Sequence, residues 1–463
     1  MWFRRDLRLT DNPALAAAAL HAAPGGEIIA LFCQDDRLAR GAGAARLAFM
    51  VDCLAALDAD IDGHLVVRSG RPEHVVPGLV AEVGADAVFV AEDFGPYGRE
   101  RDERVAVELR RRDAHLVRVG SPYAVPPGEV RTRAGKPYKV FTPFARAWRS
   151  HGWPDPVPAP RRVRWARGVG GDGPPAAPPV DAELPEPGEA AAKRAARRFF
   201  DGSLASYADA RDRPDLDATS RLSPYLKWGC LHPRQLLAEL GRSGGDDAFR
   251  TELCWREFYA DVLWHRPDTV RRVFLPAMRG IEVDTGVGTD EAFLAWAEGR
   301  TGYPFVDAGM RQLVAEGWMH NRVRMIAASF LVKDLHLDWT RGARFFMQHL
   351  VDGDLASNHH GWQWVAGTGT DPAPYFRIFN PVTQGERYDP DGDYVRRWIP
   401  ELRSIAGREV HRPWARPSGP PPGYPHPIVD HRGASRGPAP LRRGQGLSAA
   451  AGYGRPFTPS EHR

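Results

Sequence analysis

Short apolar runs alternate with amphipathic stretches through the first 120 residues, and this alternation restricts the fold more than any other feature of the chain. The apolar runs lie at 28–32, 64–67, 87–90 and 116–119, and the amphipathic stretches lie near 44–59, 72–83 and 98–112. Such a pattern predicts a parallel, doubly wound α/β sheet with helices on both faces. Ligands of these sheets bind beyond the carboxyl ends of the strands. Neither G-x-G-x-x-G nor G-x-x-x-x-G-K-[ST] follows a strand, which argues against a dinucleotide fingerprint or a phosphate loop there.

The chain divides into four parts by composition. A stretch rich in Pro, Gly and Ala at 154–189 is typical of an extended, unpacked connector. After it the apolar residues recur at three and four, as in the stripe Val323, Ile326, Ala327, Phe330 and Leu331, which predicts an all-α domain. We therefore expect an α/β domain at 1–125, a connector at 126–190, a helical domain at 191–412, and a Pro/Gly/Arg-rich tail at 413–463, of which 424–429 is the stretch suited to docking.

Composition narrows the class of protein. With 43% hydrophobic and 26% charged residues the chain can bury a large core, and a net charge of +4 means that nucleic-acid affinity must come from a local patch. Four cysteines without C-x-x-C spacing are too few to cross-link the chain, and residues 1–6 lack the apolar region of a signal peptide. We expect a soluble, cytoplasmic protein that does not enter membranes. Tryptophan is abundant at 14 residues.

One helical segment carries an unusual mixture of side chains on a single face. Glu252, Trp255, Arg256 and Tyr259 stand at i, i+3, i+4 and i+7, after Asp246-Asp247, which we take as the capping pair. A surface ion pair with aromatic packing explains this face, and so does a site that stacks a flat or base-like ligand. The sequence of this segment leaves both interpretations open.

The predicted helix that carries the apolar stripe at 323–331 also has residues outside that stripe. These are Asn321, Arg322, Arg324 and Met325. Two arginines so close together favour an anionic partner, such as Asp352-Gly353-Asp354. We predict no metal site, because the aspartates at 352 and 354 are not followed by the glycine and closing glutamate of a calcium loop, and the run at 389–393 has Tyr394 and Pro400 where those two residues are needed. The adjacent His359 and His360 point apart in regular structure, so core packing is the favoured role for them.

The segment Thr219, Ser220, Arg221, Leu222 and Ser223 offers hydroxyls at the start of a predicted helix. It suits a phosphate, although an ordinary helix cap looks the same. No G-x-S-x-G or H-E-x-x-H motif is present, which argues against a hydrolase. Many tryptophans without a metal site or an acid–base motif indicate that a bound organic cofactor performs the chemistry.

These motifs together resemble the DNA photolyase/cryptochrome family over about residues 1–430. The matching segments, in the family's order, are Trp2 to Asn12, Thr219 to Ser223, Trp255 to Tyr259, Thr301 to Pro304, Trp318 to Arg322, Asp352 to Asn358 and Gly361 to Trp364. The resemblance implies an antenna-binding α/β domain joined by a long connector to a helical domain that holds FAD. The residues that match the flavin contacts are Tyr207, Thr219, Ser220, Arg221, Leu222, Ser223, Arg324, Asp352, Gly353, Asp354 and Asn358.

The resemblance also implies a substrate, damaged DNA containing a flipped-out cyclobutane pyrimidine dimer. The residues that match the lesion cavity and the DNA contacts are Arg211, Glu252, Trp255, Arg256, Tyr259, Asn321, Arg322, Met325, Trp364 and Gln384. Trp255 and Trp364 would form its aromatic walls. Excited, fully reduced FAD would give an electron to the dimer and recover it after the ring splits. A protonated Glu252 would hydrogen-bond the carbonyl on which charge builds, and extrusion costs least at a damaged pair.

Two asparagines favour repair over light sensing. In the family, Asn at the positions of Asn321 and Asn358 is typical of enzymes that split cyclobutane dimers, whereas (6–4) enzymes carry His at the first and sensors carry Asp or Cys at the second. The resemblance therefore implies repair in duplex DNA by a monomer that needs no protein partner. The alternative is a cryptochrome-type blue-light photoreceptor that signals through a partner. The antenna would be an 8-hydroxy-deazaflavin or methenyltetrahydrofolate, and the turn at 96–99 favours the former.

The aromatic electron path of the family is incomplete in this chain. Trp362 and Trp339 match its inner two tryptophans, but the segment 281–288, where the outer one should lie, has no aromatic residue. We expect impaired photoreduction of oxidised FAD, or exit through another residue such as Trp264 or Trp318. Transient absorption checks this: a long-lived charge separation of full yield that survives removal of both Trp264 and Trp318 would contradict it.

Overall fold

The computed structural model describes residues 1–23, 25–372 and 378–434. The strands are β1 (Trp2–Phe3), β2 (Ala30–Gln34), β3 (Leu65–Ser69), β4 (Ala87–Val90) and β5 (His115–Arg118). The helices of the first half are α1 (Pro13–His21), α2 (Asp36–Ala39), α3 (Ala44–Asp60), α4 (Pro72–Val83), α5 (Pro96–Arg110), α6 (Phe141–His151), α7 (Gly188–Asp201), α8 (Tyr207–Ala210) and α9 (Ser223–Trp228). Those that follow are α10 (Pro233–Glu239), α11 (Gly244–His265), α12 (Thr289–Ala297), α13 (Pro304–Glu316), α14 (Asn321–Ser329), α15 (Trp339–His349), α16 (Leu355–Ala366), α17 (Pro381–Tyr388), α18 (Asp393–Trp398) and α19 (His431–Ala434).

The N-terminal sheet is parallel and covered on both faces, as predicted. Its ladders run β1–β2–β3 and β4–β5, with Leu31 opposite both Trp2 and Val66. Side chains alternate along each strand. Trp2, Leu31, Val66 and Val88 pack with residues of α4 and α5, whereas Phe3, Phe32, Val67 and Phe89 belong to the core that contains residues of α1 and α3. The sheet is therefore doubly wound.

The segment that follows β1 buries charged side chains against the helical domain. Arg234 of α10 donates to the Asp11 carboxylate at 2.7 Å, and Arg8 donates to the Gly229 carbonyl at 2.9 Å. Asp11 has a left-handed φ of 49° and lies beside His232, which caps α10. Charges that leave water must be paired, so these contacts hold the two regions together.

The connector is extended but packed, which corrects the prediction that it stays unpacked. Trp165 bridges to Ile28, and the Asp172 amide donates to the Val67 carbonyl at 2.7 Å, beside the outer strand β3. Earlier in the same region, α6 buries Phe144 and Trp148 in the core that also holds the sheet face of Phe3. One hydrophobic core therefore runs through the predicted boundaries at 125 and 190.

The helical domain has a second core, to which all five residues of the predicted stripe at 323–331 belong. After α14 the chain continues as a π-helix, Phe330–Asp334. The predicted docking of 424–429 is confirmed: the Tyr424 hydroxyl donates to Asp307 at 2.6 Å, and the Ile428 amide donates to the Thr301 carbonyl. The tail arginines beyond 434 lie outside the described residues. Among the residues described, no helix is both long and apolar enough to cross a membrane.

His232 gives the junction a pH dependence. Its burial lowers its pKa to about 4, below the ordinary 6.5. The neutral ring donates from Nε2 to the Ser121 carbonyl and accepts the Arg234 amide at Nδ1. The unfolded chain therefore binds a proton in the interval from pH 6.5 to pH 4 that the folded chain does not.

We expect acidification from pH 6.5 to pH 4 to remove up to about 3 kcal/mol of stability through His232. His232→Asn keeps a capping acceptor and does not titrate, so urea unfolding of this variant should lose less stability over the same interval. Equal pH slopes in the variant and the wild type would contradict this role.

Candidate functional site

A cavity of about 560 Å³ lies where α8, α9, α11, α14 and α16 meet. Nearly all of the predicted site residues line it: Tyr207, Arg211, Thr219, Ser220, Arg221, Leu222, Ser223, Glu252, Trp255, Arg256, Tyr259, Asn321, Arg322, Arg324, Met325, Asp352, Asp354, Asn358, Trp362 and Trp364. Trp339, Gly353 and Gln384 are not among the lining residues. Gly353 instead leaves room for Arg46, whose Nη1 would lie 2.3 Å from an added Cβ.

The mixed face of α11 lines this cavity, and it also carries an ion pair, between Glu252 and Arg211, and aromatic packing, of Trp255 on Phe141. The helix begins earlier than predicted, because Ser243 caps it and forms a capping box with Asp246. Arg256 donates to the carbonyls of Pro122 and Leu226 and lies over the ring of Tyr123. Both terminal nitrogens of Arg256 therefore already have partners within the protein.

Two ion pairs stand at the cavity wall. Arg211 donates to Glu252, and Arg322 donates to Asp212 at 2.6 Å. Burial raises the pKa of Glu252, and Asp212 adds to this effect, while Arg211 and Arg322 oppose it. The net direction is upward, so Glu252 takes up a proton more readily than an exposed glutamate.

A third ion pair joins α14 to the turn before α16. Arg324 donates from Nη2 to Asp352 Oδ2 at 2.9 Å and from Nε to the Met319 carbonyl at 2.7 Å. Asp352 Oδ1 is buried and has no hydrogen-bond partner among the described residues. On α16, Asn358 Nδ2 donates to the Ala343 carbonyl at 2.9 Å. A buried acceptor without a donor on a cavity wall indicates that a ligand N–H belongs there.

The hydroxyl segment before α9 takes a tight path along the same cavity. Arg221 adopts a left-handed φ of 49°, and its side chain bonds Asp217 and Glu316 while it lies over Trp318. Thr219 Oγ1 is buried without a partner among the described residues. This free hydroxyl is suited to an anionic group of a ligand.

The α/β domain contributes charge to the site through Arg5. Arg5 Nη2 donates to Asp354 Oδ2 at 2.9 Å, and Arg5 Nε donates to the Lys227 carbonyl. Burial alone would raise the pKa of Asp354, but Arg5, Lys227 and Arg256 together hold it well below its usual range. Burial lowers the pKa of the Lys227 ammonium, and the nearby Arg5 lowers it further.

Sequence reasoning missed several lining residues, among them Asp212, Lys227, Phe249, Phe346 and Trp318. Trp318 was named as an alternative exit for electrons and not as a lining residue, but it lines the cavity with Arg221 over its ring. Its position inside the matched segment Trp318 to Arg322 is the signal that could have placed it. Phe249 shares the face of Glu252 at i−3 on α11, and Asp212 follows Arg211, so helical spacing and adjacency could have found these two. Lys227 and Phe346 carry no such signal, because only the packing of distant segments brings them to the cavity.

An α/β domain joined to a helical domain, with a polar, arginine-bearing cavity between aromatic walls, defines the class of fold. The family model described as DNA photolyase matches residues 1–161, and the one described as FAD binding domain of DNA photolyase matches residues 249–438. A deoxyribodipyrimidine photo-lyase of Halobacterium salinarum is 41% identical, over 93% of this chain and 95% of its own length.

Solved structures agree with this assignment. A bacterial class III photolyase from Agrobacterium tumefaciens superposes with a TM-score of 0.87 at 36% identity, covering 97% of this chain and 96% of its own. A cryptochrome of Synechocystis superposes with a TM-score of 0.85 at 26% identity, covering 96% of this chain and 98% of its own. The chain belongs to the DNA photolyase family.

Removal of the Arg5 guanidinium should leave the partly buried Asp354 carboxylate with fewer partners. We expect Arg5→Met to destabilise the apoprotein by about 2 kcal/mol, below the usual cost for a fully buried pair, because the two side chains are 27% and 14% exposed. Urea unfolding measures it. Arg197→Met, which breaks the exposed pair with Asp201 on α7, is the control and should cost less than about 1 kcal/mol. Equal losses in the two variants would refute the role of Arg5.

Proposed function

We propose that the protein is a light-dependent DNA repair enzyme that splits cyclobutane pyrimidine dimers. The observation that carries the proposal is a single cavity that contains both the Arg324–Asp352 ion pair and two aromatic walls, Trp255 and Trp364. We call the two tryptophans the lesion clamp. Family membership supports the same activity, since its relatives include photo-lyases.

The residues present fit FAD as the cofactor. The cavity volume lies within the range usual for cofactor sites. Asp352 Oδ1 and Thr219 Oγ1 are buried polar atoms that lack partners among the described residues, so they can accept a ligand N–H and donate to a phosphate. Arg324, Asn358 and the hydroxyl segment complete the proposed binding set. When bound and reduced, FAD supplies an electron donor that blue light excites.

The residues of this chain orient the substrate and place a proton near it. Trp255 and Trp364 hold a flipped-out dimer between aromatic surfaces, with Asn321 and Met325 beside them on the cavity wall. Burial raises the pKa of Glu252, which favours uptake of a proton when Arg211 turns to a DNA phosphate; the protonated carboxyl would donate a hydrogen bond to a pyrimidine carbonyl as negative charge develops. A dimer that displaces water from the cavity would strengthen that hydrogen bond.

DNA binding rests on a local set of cations. Arg211 and Arg322 each pair with a carboxylate in the free protein, and we propose that DNA phosphates compete for them. Gln384 on α17 lies outside the cavity lining and is proposed to contact the strand. Such binding depends strongly on salt and little on sequence.

Trp362 and Trp339 are proposed to carry electrons when the cofactor is photoreduced. Trp362 is buried, with Phe346 at 5.0 Å and Trp296 at 6.1 Å between ring centroids. Trp339 contacts His359 at 6.0 Å. We also propose a bound antenna, a deazaflavin or a folate, in the α/β domain, and a monomeric enzyme that works in the cytoplasm.

The cryptochrome-type photoreceptor remains the alternative, since a cryptochrome shares the fold. One experiment separates the two functions. Purified, reduced, FAD-loaded protein is incubated with duplex DNA that carries a single dimer, with and without blue light. Restoration only in the light supports repair. No restoration in either condition, with no preference for the damaged duplex, would exclude it.

The Glu252 proton can be tested separately. Loss of one hydrogen bond to the charged carbonyl should lower the repair yield per absorbed photon about two- to tenfold in Glu252→Ala. Glu252→Gln, which retains an N–H donor, should fall less. Asp247→Asn, at an exposed position of the same helix, is the control and should behave as the wild type. An unchanged yield in Glu252→Ala would refute this role.

A further inference from the structure

The two walls of the lesion clamp belong to different hydrophobic cores. Trp255 packs against the core that contains the α/β sheet face of Phe3, and Trp364 packs against the core of the helical domain. The two helices pack on each other, with Tyr259 of α11 stacked on His360 of α16 at 5.7 Å between ring centroids. This contact relates the helix axes, but the plane of the Trp255 indole depends on the side chains that lie against it.

Phe141, the first residue of α6 in the connector, contacts one of these walls directly. Its ring stacks on Trp255 with centroids 3.5 Å apart and an angle of 5° between the planes. Phe258 and Tyr259 lie against the same indole at 5.8 Å and 5.4 Å. Because Phe141 covers one face of Trp255, the indole can offer only its other face to a base in the cavity that it lines.

The same residue is tied to the segment that follows the second wall. The Phe141 amide donates to Asp371 Oδ2 at 2.9 Å, and Thr370 Oγ1 donates to the Lys139 carbonyl at 2.8 Å. Thr370 and Asp371 lie six and seven residues after Trp364, and Asp371 is held in a left-handed φ of 44°. Through these two bonds Phe141 and Lys139 join α6, which packs on Trp255, to the loop that follows Trp364.

We propose that Phe141 is a positioning residue for lesion recognition: its ring fixes the plane of Trp255 before DNA binds, and its amide ties α6 to the loop that follows Trp364. This proposal rests on the proposed function and deepens it. A clamp that is already ordered loses little side-chain freedom when a dimer enters, so more of the stacking energy appears as affinity for the lesion. The connector thus contributes to specificity as well as joining two domains.

The test compares Phe141→Leu with Phe144→Leu in the FAD-loaded protein. Phe144 is buried on the same helix, and its ring packs on Phe258 and Tyr138, so its variant controls for a general loss of packing. Binding to dimer-containing and undamaged duplexes is measured in the dark. Phe141→Leu should weaken binding to the damaged duplex about three- to tenfold, leave binding to the undamaged duplex unchanged, and retain the repair yield per photon at saturating DNA.

Phe144→Leu should keep the ratio of the two affinities within twofold of the wild type, and Phe141→Tyr, which retains the stacked ring, should restore the ratio. An unchanged ratio in Phe141→Leu, or an equal fall in Phe144→Leu, would overturn the role of Phe141 while the proposed function stands. A wild-type protein with no preference for the damaged duplex would overturn the proposed function and this role with it.

Discussion

The structure depends on the burial of charged side chains from the segment after the first strand. Arg8 and Asp11 leave water at the junction between the α/β and helical regions, where the Gly229 carbonyl and Arg234 become their partners, and the half-buried Arg5 pairs with Asp354 beside them. Unpaired, Arg8 or Asp11 would cost several kcal/mol. The two regions therefore meet at a junction of paired charges. This junction includes Asp354, which lines the cavity.

The junction also positions one of the helices that line the cavity, α16. Arg5 stabilises the carboxylate of Asp354, which caps α16, and α16 carries Asn358, Trp362 and Trp364 toward the cavity. On the facing side, α11 presents Glu252 and Trp255. Helices therefore supply both the charged and the aromatic side chains of the cavity. Such rigid placement is what a site needs if a cofactor and a flat substrate are to meet at a defined distance.

Local periodicity predicted the elements well. The stretch predicted at 72–83 is α4, and the stripe at 323–331 is buried as expected, because helical and strand periods are set by neighbouring residues. Prediction was wrong for the connector, which packs on β3 through Asp172 because a distant strand offers it a partner. Distant contacts also place Gly353 against Arg46 and bring Trp318 to the cavity wall.

By itself, the sequence determined the class of fold, the family resemblance and the residue types of the site, since motifs and periods are properties of nearby positions. Only the tertiary structure decided which of those residues are already committed to partners. Arg256 bonds two carbonyls, Glu252 bonds Arg211, and Phe141 stacks on Trp255. These contacts join positions between 30 and 134 residues apart, and no local pattern encodes them because they exist only when separate helices pack together.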